Sequence, residues 1–128
     1  MRVNGLDHIN ICTQNLDASA AFYIKLLDLK ESPAMRPADQ ARWLCDHNGN
    51  AIIHLLNRDS PNTGTGTGTG TGALHHVALN CTGKETVLAR LQSIDADFSV
   101  IDRAETGLCQ IFTRDPHGIL LELNFPNQ

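Results

Sequence analysis

"LHHVAL" at residues 74–79 restates "LDHINI" at residues 6–11 after a shift of 68 (76 − 8), and the fold follows from this repetition. After the first copy runs "NLDASAAFYIKLLDL" (15–29). Here Asn15 or Asp17 can cap a helix, and Leu16, Ala20, Tyr23, Leu26 and Leu27 return at helical spacing. After the second copy runs "TGKETVLARLQSI" (82–94), with Val87, Leu88, Leu91 and Ile94 at the same period. Each helix gives way to short strands. "ARWLCDHNGNAIIHLLN" (41–57) turns at Asn48-Gly49, and "CQIFTRDPHGILLELNF" (109–125) turns at Pro116-His117-Gly118, so both read as hairpins. Each half is strand, helix, strand, then hairpin. A single α+β domain over residues 1–128 is expected, built from module 1 (1–60), a linker (61–72) and module 2 (73–128).

The linker contains five Thr-Gly pairs in a row, with no apolar face, charge or period that could bury anything. A phosphate-cradling loop needs a strand before it, a helix after it and usually a lysine. Here a strand follows and no lysine is near, so the run is expected to be a supple connector.

Composition narrows the function. At 41% apolar residues the chain can bury a core. A net charge of −4 and a pI near 5.8 leave no broad basic field, which argues against nucleic acid or an anionic membrane as partner. No apolar run approaches the length of a membrane span. The start "MRVNGLDHIN" lacks the apolar core of a signal peptide, so a cytoplasmic protein is expected. Cys12, Cys45, Cys81 and Cys109 form no CxxC pair and are expected to be reduced thiols.

The repeat also carries chemistry. His8 and His76 occupy matching places, and "IIHLLN" (52–57) overlays "LLELNF" (120–125), setting His54 on Glu122. Each polar pair is therefore 46 residues apart (54 − 8 and 122 − 76). A His or Glu in an otherwise apolar strand needs a partner, because burying it alone costs several kcal/mol. A metal ion would satisfy both pairs. Three imidazoles and a carboxylate suit a divalent transition metal with open positions: nickel, zinc, cobalt, manganese or ferrous iron.

Across essentially its whole length the chain resembles the vicinal oxygen chelate superfamily, which includes glyoxalase I, methylmalonyl-CoA epimerase, bleomycin- and fosfomycin-resistance proteins and extradiol dioxygenases. The resemblance is carried by "LDHINICTQNLDASAAFYIKLLDL", "LHHVALN" and above all "GLCQIFTRDPHGILLELNF". It implies two βαβββ modules in pseudo-twofold arrangement forming an open barrel-like sheet around the metal. It places metal ligands at His8, His54, His76 and Glu122. His54 departs from common glyoxalase I, where a carboxylate usually stands, and this leaves open whether His54 is a ligand or the catalytic base, with Glu122 the other candidate for base. Proteins of this superfamily and size imply a homodimer, with the modules packed within one chain or exchanged between two.

Strand alternation nominates the substrate wall. Asn10 and Cys12 share the face of His8, Leu56 that of His54, and Leu120 and Asn124 that of Glu122. A largely apolar wall with few polar groups suits a small-molecule substrate. Arg36, Arg42, Arg103 and Arg114 are candidate anchors for a carboxylate or phosphate, Arg114 being equally placed to brace the "DPHG" turn. His75 falls on the opposite face from His76 or at an exposed strand start, and His47 and His117 fall in or beside the turns. The leading expectation is a glyoxalase-like lyase or isomerase that transfers a proton next to a metal-chelated carbonyl. An extradiol-type dioxygenase using His8, His76 and Glu122 is one alternative, and a non-catalytic drug-binding protein is another.

Overall fold

Both halves of the chain run in the order strand, helix, strand, strand, strand, as the computed structural model describes them over residues 1–34, 36–58 and 73–126. The chain divides into two compact units, Met1–Pro61 and Asn62–Gln128. The expected linker, residues 61–72, lies outside the described residues.

In the first unit, β1 (Ile9–Thr13), β2 (Lys30–Ser32), β3 (Ala41–Cys45) and β4 (Ala51–Asn57) form one sheet in the order β1-β4-β3-β2. β1 runs parallel to β4 and the remaining pairings are antiparallel, so the sheet is mixed. A parallel pair needs a crossover, and α1 (Leu16–Leu27) lies within it. α1 starts where the sequence places a cap: the Asn15 side chain accepts from the Ala18 backbone N–H at 3.0 Å. Just before it, the buried hydroxyls of Thr13 and Ser19 meet at 2.9 Å and tie the end of β1 to the first turn. Leu16, Ala20, Tyr23 and Leu26 are buried as the helical period requires, together with Leu44, Ile53 and Leu55 of the sheet. Each such large side chain contributes about 1.5–3 kcal/mol.

The second unit repeats the plan. β5 (Val77–Asn80), β6 (Phe98–Arg103), β7 (Leu108–Arg114) and β8 (Leu120–Pro126) pair in the order β5-β8-β7-β6, with α2 (Lys84–Ser93) between β5 and β6. Val87 and Leu91 are buried, but Ile94, expected on the same stripe, is the C-cap residue and 54% exposed. The strands open later than the repeated motifs suggest, at Ile9 and Val77. Leu6 and Leu74 are exposed, so His8 and His76 stand just ahead of β1 and β5.

The two hairpins share one turn chemistry. The Asp46 carboxylate accepts from the backbone N–H groups of Asn48 and Asn50, and the Asp115 carboxylate from those of His117 and Ile119, each near 3 Å. Gly49 and Gly118 both take φ of 83°, where other residues are strained. The bonds from Asn50 and Asn48 hold the Asp46 carboxyl below the usual carboxylate range. These turns are offset by 69 residues (115 − 46) while β4 and β8 are offset by 68 (122 − 54), so the first unit carries one extra residue. A β-bulge absorbs it. Leu44 pairs with Ile53 but Cys45 pairs with Ala51, leaving Ile52 without an opposite number. Hence Trp43 corresponds to Phe112, each opposite the polar residue of the last strand: Trp43 faces His54 and Phe112 faces Glu122.

Candidate functional site

In each unit one face of the sheet is buried and the other carries the nominated residues. On β4, Ile53 and Leu55 are buried while Ile52, His54 and Leu56 are partly exposed; on β8, Leu121, Leu123 and Phe125 are buried while Leu120, Glu122 and Asn124 are partly exposed. The alternation read from sequence therefore holds, and the pairs His8–His54 and His76–Glu122 each come together.

The first pair is a ring stack. The His8 and His54 rings lie 3.7 Å apart at 13°, and Trp43 stacks on His54 at 4.3 Å and 11°. Asp7 accepts from His8 Nδ1 at 2.6 Å, so the proton sits on Nδ1 and the lone pair on Nε2. Burial first, and the neighbouring His8 second, push the His54 imidazole below its ordinary value, against smaller opposing pulls from the Ala51 backbone and Asp7. Asn10, Arg36, Ala41, Trp43, His54 and Leu56 line a cleft of about 240 Å³. Cys12 is the next outward-facing residue on β1 after Asn10, and its Sγ accepts from Arg58 Nε at 3.3 Å.

The second pair is a hydrogen-bonded chain. His76 Nε2 lies 3.0 Å from Glu122 Oε2. Gln110 Nε2 donates to Glu122 Oε1 at 2.5 Å and to Asn124 Oδ1 at 3.1 Å, and Gln110 Oε1 accepts from Arg103 Nε at 2.7 Å. Arg103 thereby settles which way the Gln110 amide points, since a guanidinium can only donate. His75 Nδ1 stands 2.9 Å from His76 Nδ1 and leaves Nε2 towards the carboxylate. Asp7 and His75 hold matching places in the repeat, so in both units the residue before the histidine engages Nδ1.

The donor chemistry fits a divalent metal. Two ligands about 2.1 Å from one ion at a right angle stand about 3.0 Å apart, the His76–Glu122 spacing. A metal-bound imidazole usually gives its other nitrogen to a partner, as His8 and His76 do here. The stacked His8 and His54 rings lie in nearly parallel planes with centroids 3.7 Å apart, so one ion cannot lie in both planes and joint ligation requires a ring to turn. Among the described residues, no three or more His, Cys, Asp or Glu side chains gather into a group that could hold a metal ion.

The other nominated residues separate. Asn10 and Leu56 line the cleft, while Leu120 and Asn124 stand on the Glu122 face of β8. Arg42 is bound to Asp17, at 2.8 Å, and to Glu31, and Arg114 donates to the Gly118 carbonyl at 2.8 Å, bracing the turn. His47 and His117 are exposed in the turns. All four cysteines are free thiols, Cys45 and Cys109 buried, Cys12 and Cys81 partly so. Sequence reading missed Asp7, Trp43, His75 and Gln110 as parts of the site. Gln110 left a signal, a lone amide inside "LCQIF", but its reach to Glu122 is diagonal across β7 and β8 and needs the register.

Known proteins agree with this architecture. FosX, a fosfomycin resistance protein from Listeria monocytogenes, superposes with a TM-score of 0.71 at 14% identity, over 98% of this chain and 96% of that one. A glyoxalase/dioxygenase from Nostoc punctiforme gives 0.75 at 17% identity, over 98% and 92% of the two chains. A lactoylglutathione lyase from Agrobacterium tumefaciens gives 0.67 at 17% identity, over 98% and 96%. A mutant of the Listeria FosX has been crystallised with Mn(II) and dihydroxypropylphosphonic acid. No curated protein sequence matches the chain. Among the described residues no helix is long and apolar enough to cross a membrane. Residues 5–123 match a family in sequence as well as in fold, and the chain belongs to that family, the Glyoxalase/Bleomycin resistance protein/Dioxygenase superfamily.

Proposed function

We propose that the protein is a metal-dependent lyase or isomerase of the glyoxalase type, moving a proton at a carbon next to a carbonyl of a small substrate. The observation that carries this is the matched treatment of His8 and His76. Each has Nδ1 engaged by the preceding residue, and His76 presents Nε2 to Glu122. His8, His76 and Glu122 would hold the ion, with His54 as a fourth donor in the absence of substrate. When bound, a divalent ion supplies Lewis-acid polarisation of neighbouring substrate oxygens.

The chain's own residues divide the remaining work. Both Glu122 oxygens are engaged, Oε1 by Gln110 and Oε2 by His76, which suits a fixed ligand better than a mobile base. His54 is kept neutral near pH 7 by burial and by His8, so it retains a lone pair for a proton. The His8 and Trp43 rings stack against it. His54 is therefore the proton acceptor of this reading, and Ala41, Leu56 and Trp43 are the apolar wall beside it. The working form would be a homodimer, which covers exposed strand edges.

Metal content of protein purified without chelator or nickel resin is the first test. Solvent deuterium exchange at the α-carbon of α-hydroxy-carbonyl and hemithioacetal substrates is the second. Exchange that depends on metal and is lost in His54→Gln supports the proposal. No exchange, with oxygen uptake on catechols under ferrous iron, replaces it with ring-cleaving dioxygenase chemistry. A stable monomer by light scattering at micromolar concentration would refute the dimer.

A further inference from the structure

The fold separates the four arginines that the sequence offered as anchors for an anion. Arg42 is spent on Glu31 and Asp17, Arg103 on Gln110, and Arg114 on the Gly118 carbonyl. Arg36 has no hydrogen-bond or ion-pair partner among the described residues, and it lines the cleft beside Asn10, Trp43 and His54. Among the described residues, no Asp or Glu lines that cleft. Among the described lining residues Arg36 therefore supplies the one permanent charge, next to the apolar surfaces of Ala41 and Leu56.

We infer that the cleft takes a small molecule bearing an anionic oxygen group, a carboxylate or a phosphate type, and that Arg36 is its anchoring residue. The inference rests on the cleft being the substrate site of the proposed function, and it adds the charge class of that substrate. A guanidinium offers paired donors that match the two oxygens of such a group, and it stays charged at any pH the protein tolerates. Asn10 adds an amide on the same wall, able to donate or accept, and the ring of Trp43 gives the rest of the ligand a surface to cover. An arginine with a carboxylate neighbour, as Arg42 has, would already be neutralised, and among the described residues Arg36 has none.

Trp43 is the only tryptophan in the chain, so intrinsic fluorescence reports on this cleft directly. Benzoate and benzamide have nearly the same shape and differ in charge. Titrated into protein stripped of metal on a chelating resin, benzoate is expected to give a saturable change with a Kd at least tenfold below that of benzamide. Arg36→Gln should raise the benzoate Kd about tenfold and leave benzamide unchanged, which also shows that the cleft is intact. Arg114→Gln should keep the preference. Equal affinities in the wild type, a preference that survives Arg36→Gln, or no saturable response to either probe would overturn the inference. Because the resin removes metal and adds no competing carboxylate to the solution, this readout does not depend on the ion. Failure of the metal proposal would show in metal content instead, with the anion preference untouched.

Discussion

Replacing Gln110 with Met removes three hydrogen bonds while keeping nearly the same volume in a side chain that is 8% exposed. The bond to the Glu122 carboxylate and the one from Arg103 each involve a charged group, worth about 1.5–3 kcal/mol, and the bond to Asn124 is worth about 1 kcal/mol. Simple addition overstates the loss, because Arg103 is largely exposed and rehydrates, and because Met recovers apolar burial that an amide does not. Glu122 cannot rehydrate as freely, since its side chain is only 12% exposed. The net expectation is a loss of about 2 kcal/mol in urea unfolding, roughly a thirtyfold change in the folding equilibrium. Metal affinity should fall about 10–100-fold, the usual effect of removing a residue that orients a ligand. Competition with a chromophoric chelator measures the second quantity independently of the first. Arg103→Gln, which leaves Gln110 in place but frees its amide to rotate, should show a smaller loss of metal affinity. Wild-type metal affinity in Gln110→Met, with stability reduced as expected, would refute the idea that this amide aims Glu122 and leave it a packing residue.

Glu122→Gln should weaken metal binding at least tenfold while circular dichroism remains that of the native fold, since the amide keeps the shape of the acid. In metal-free protein His54 contributes a pH dependence of definite sign. Its folded pKa is lowered, so stability is intact above the ordinary histidine value near 6.5 and declines as pH falls below it; unfolding curves between pH 7.5 and 5 should show this, and His54→Phe should flatten the profile. Burial pushes the Cys81 thiol up to about 11, so at pH 8 iodoacetamide should label it roughly a hundredfold more slowly than free cysteine in a peptide-mapping time course. Asp95, which follows α2 at a φ of 53°, occupies a conformation that costs residues other than glycine about 1 kcal/mol, and Asp95→Gly should raise the unfolding free energy by about 0.5–1 kcal/mol.

Periodicity and repetition belong to the sequence itself. The stripe Leu16, Ala20, Tyr23, Leu26 specifies a helix because its 3.6-residue period aligns the side chains on one face, and the structure buries all four. The single His54 within "IIHLLN" and Glu122 within "LLELNF" announce an exposed functional face because strands alternate with a period of two. The repeat of the whole pattern was enough to give the βαβββ order twice. Contacts that cross between strands were decided only by the tertiary structure, because a pairing register is fixed by the collective packing of both strands. The bulge opposite Leu44 and Cys45 is the clearest case. A constant shift of 68 pairs Trp43 with Ile111, whereas the folded sheets match Trp43 to Phe112 and bring the tryptophan onto His54. The same holds for the arginines, which look alike along the chain. Arg42 finds Glu31 across β2 and β3 and Asp17 on α1, Arg103 finds Gln110, and Arg36 is left to the cleft, because a charged side chain's partner is settled by three-dimensional proximity rather than by its neighbours in sequence.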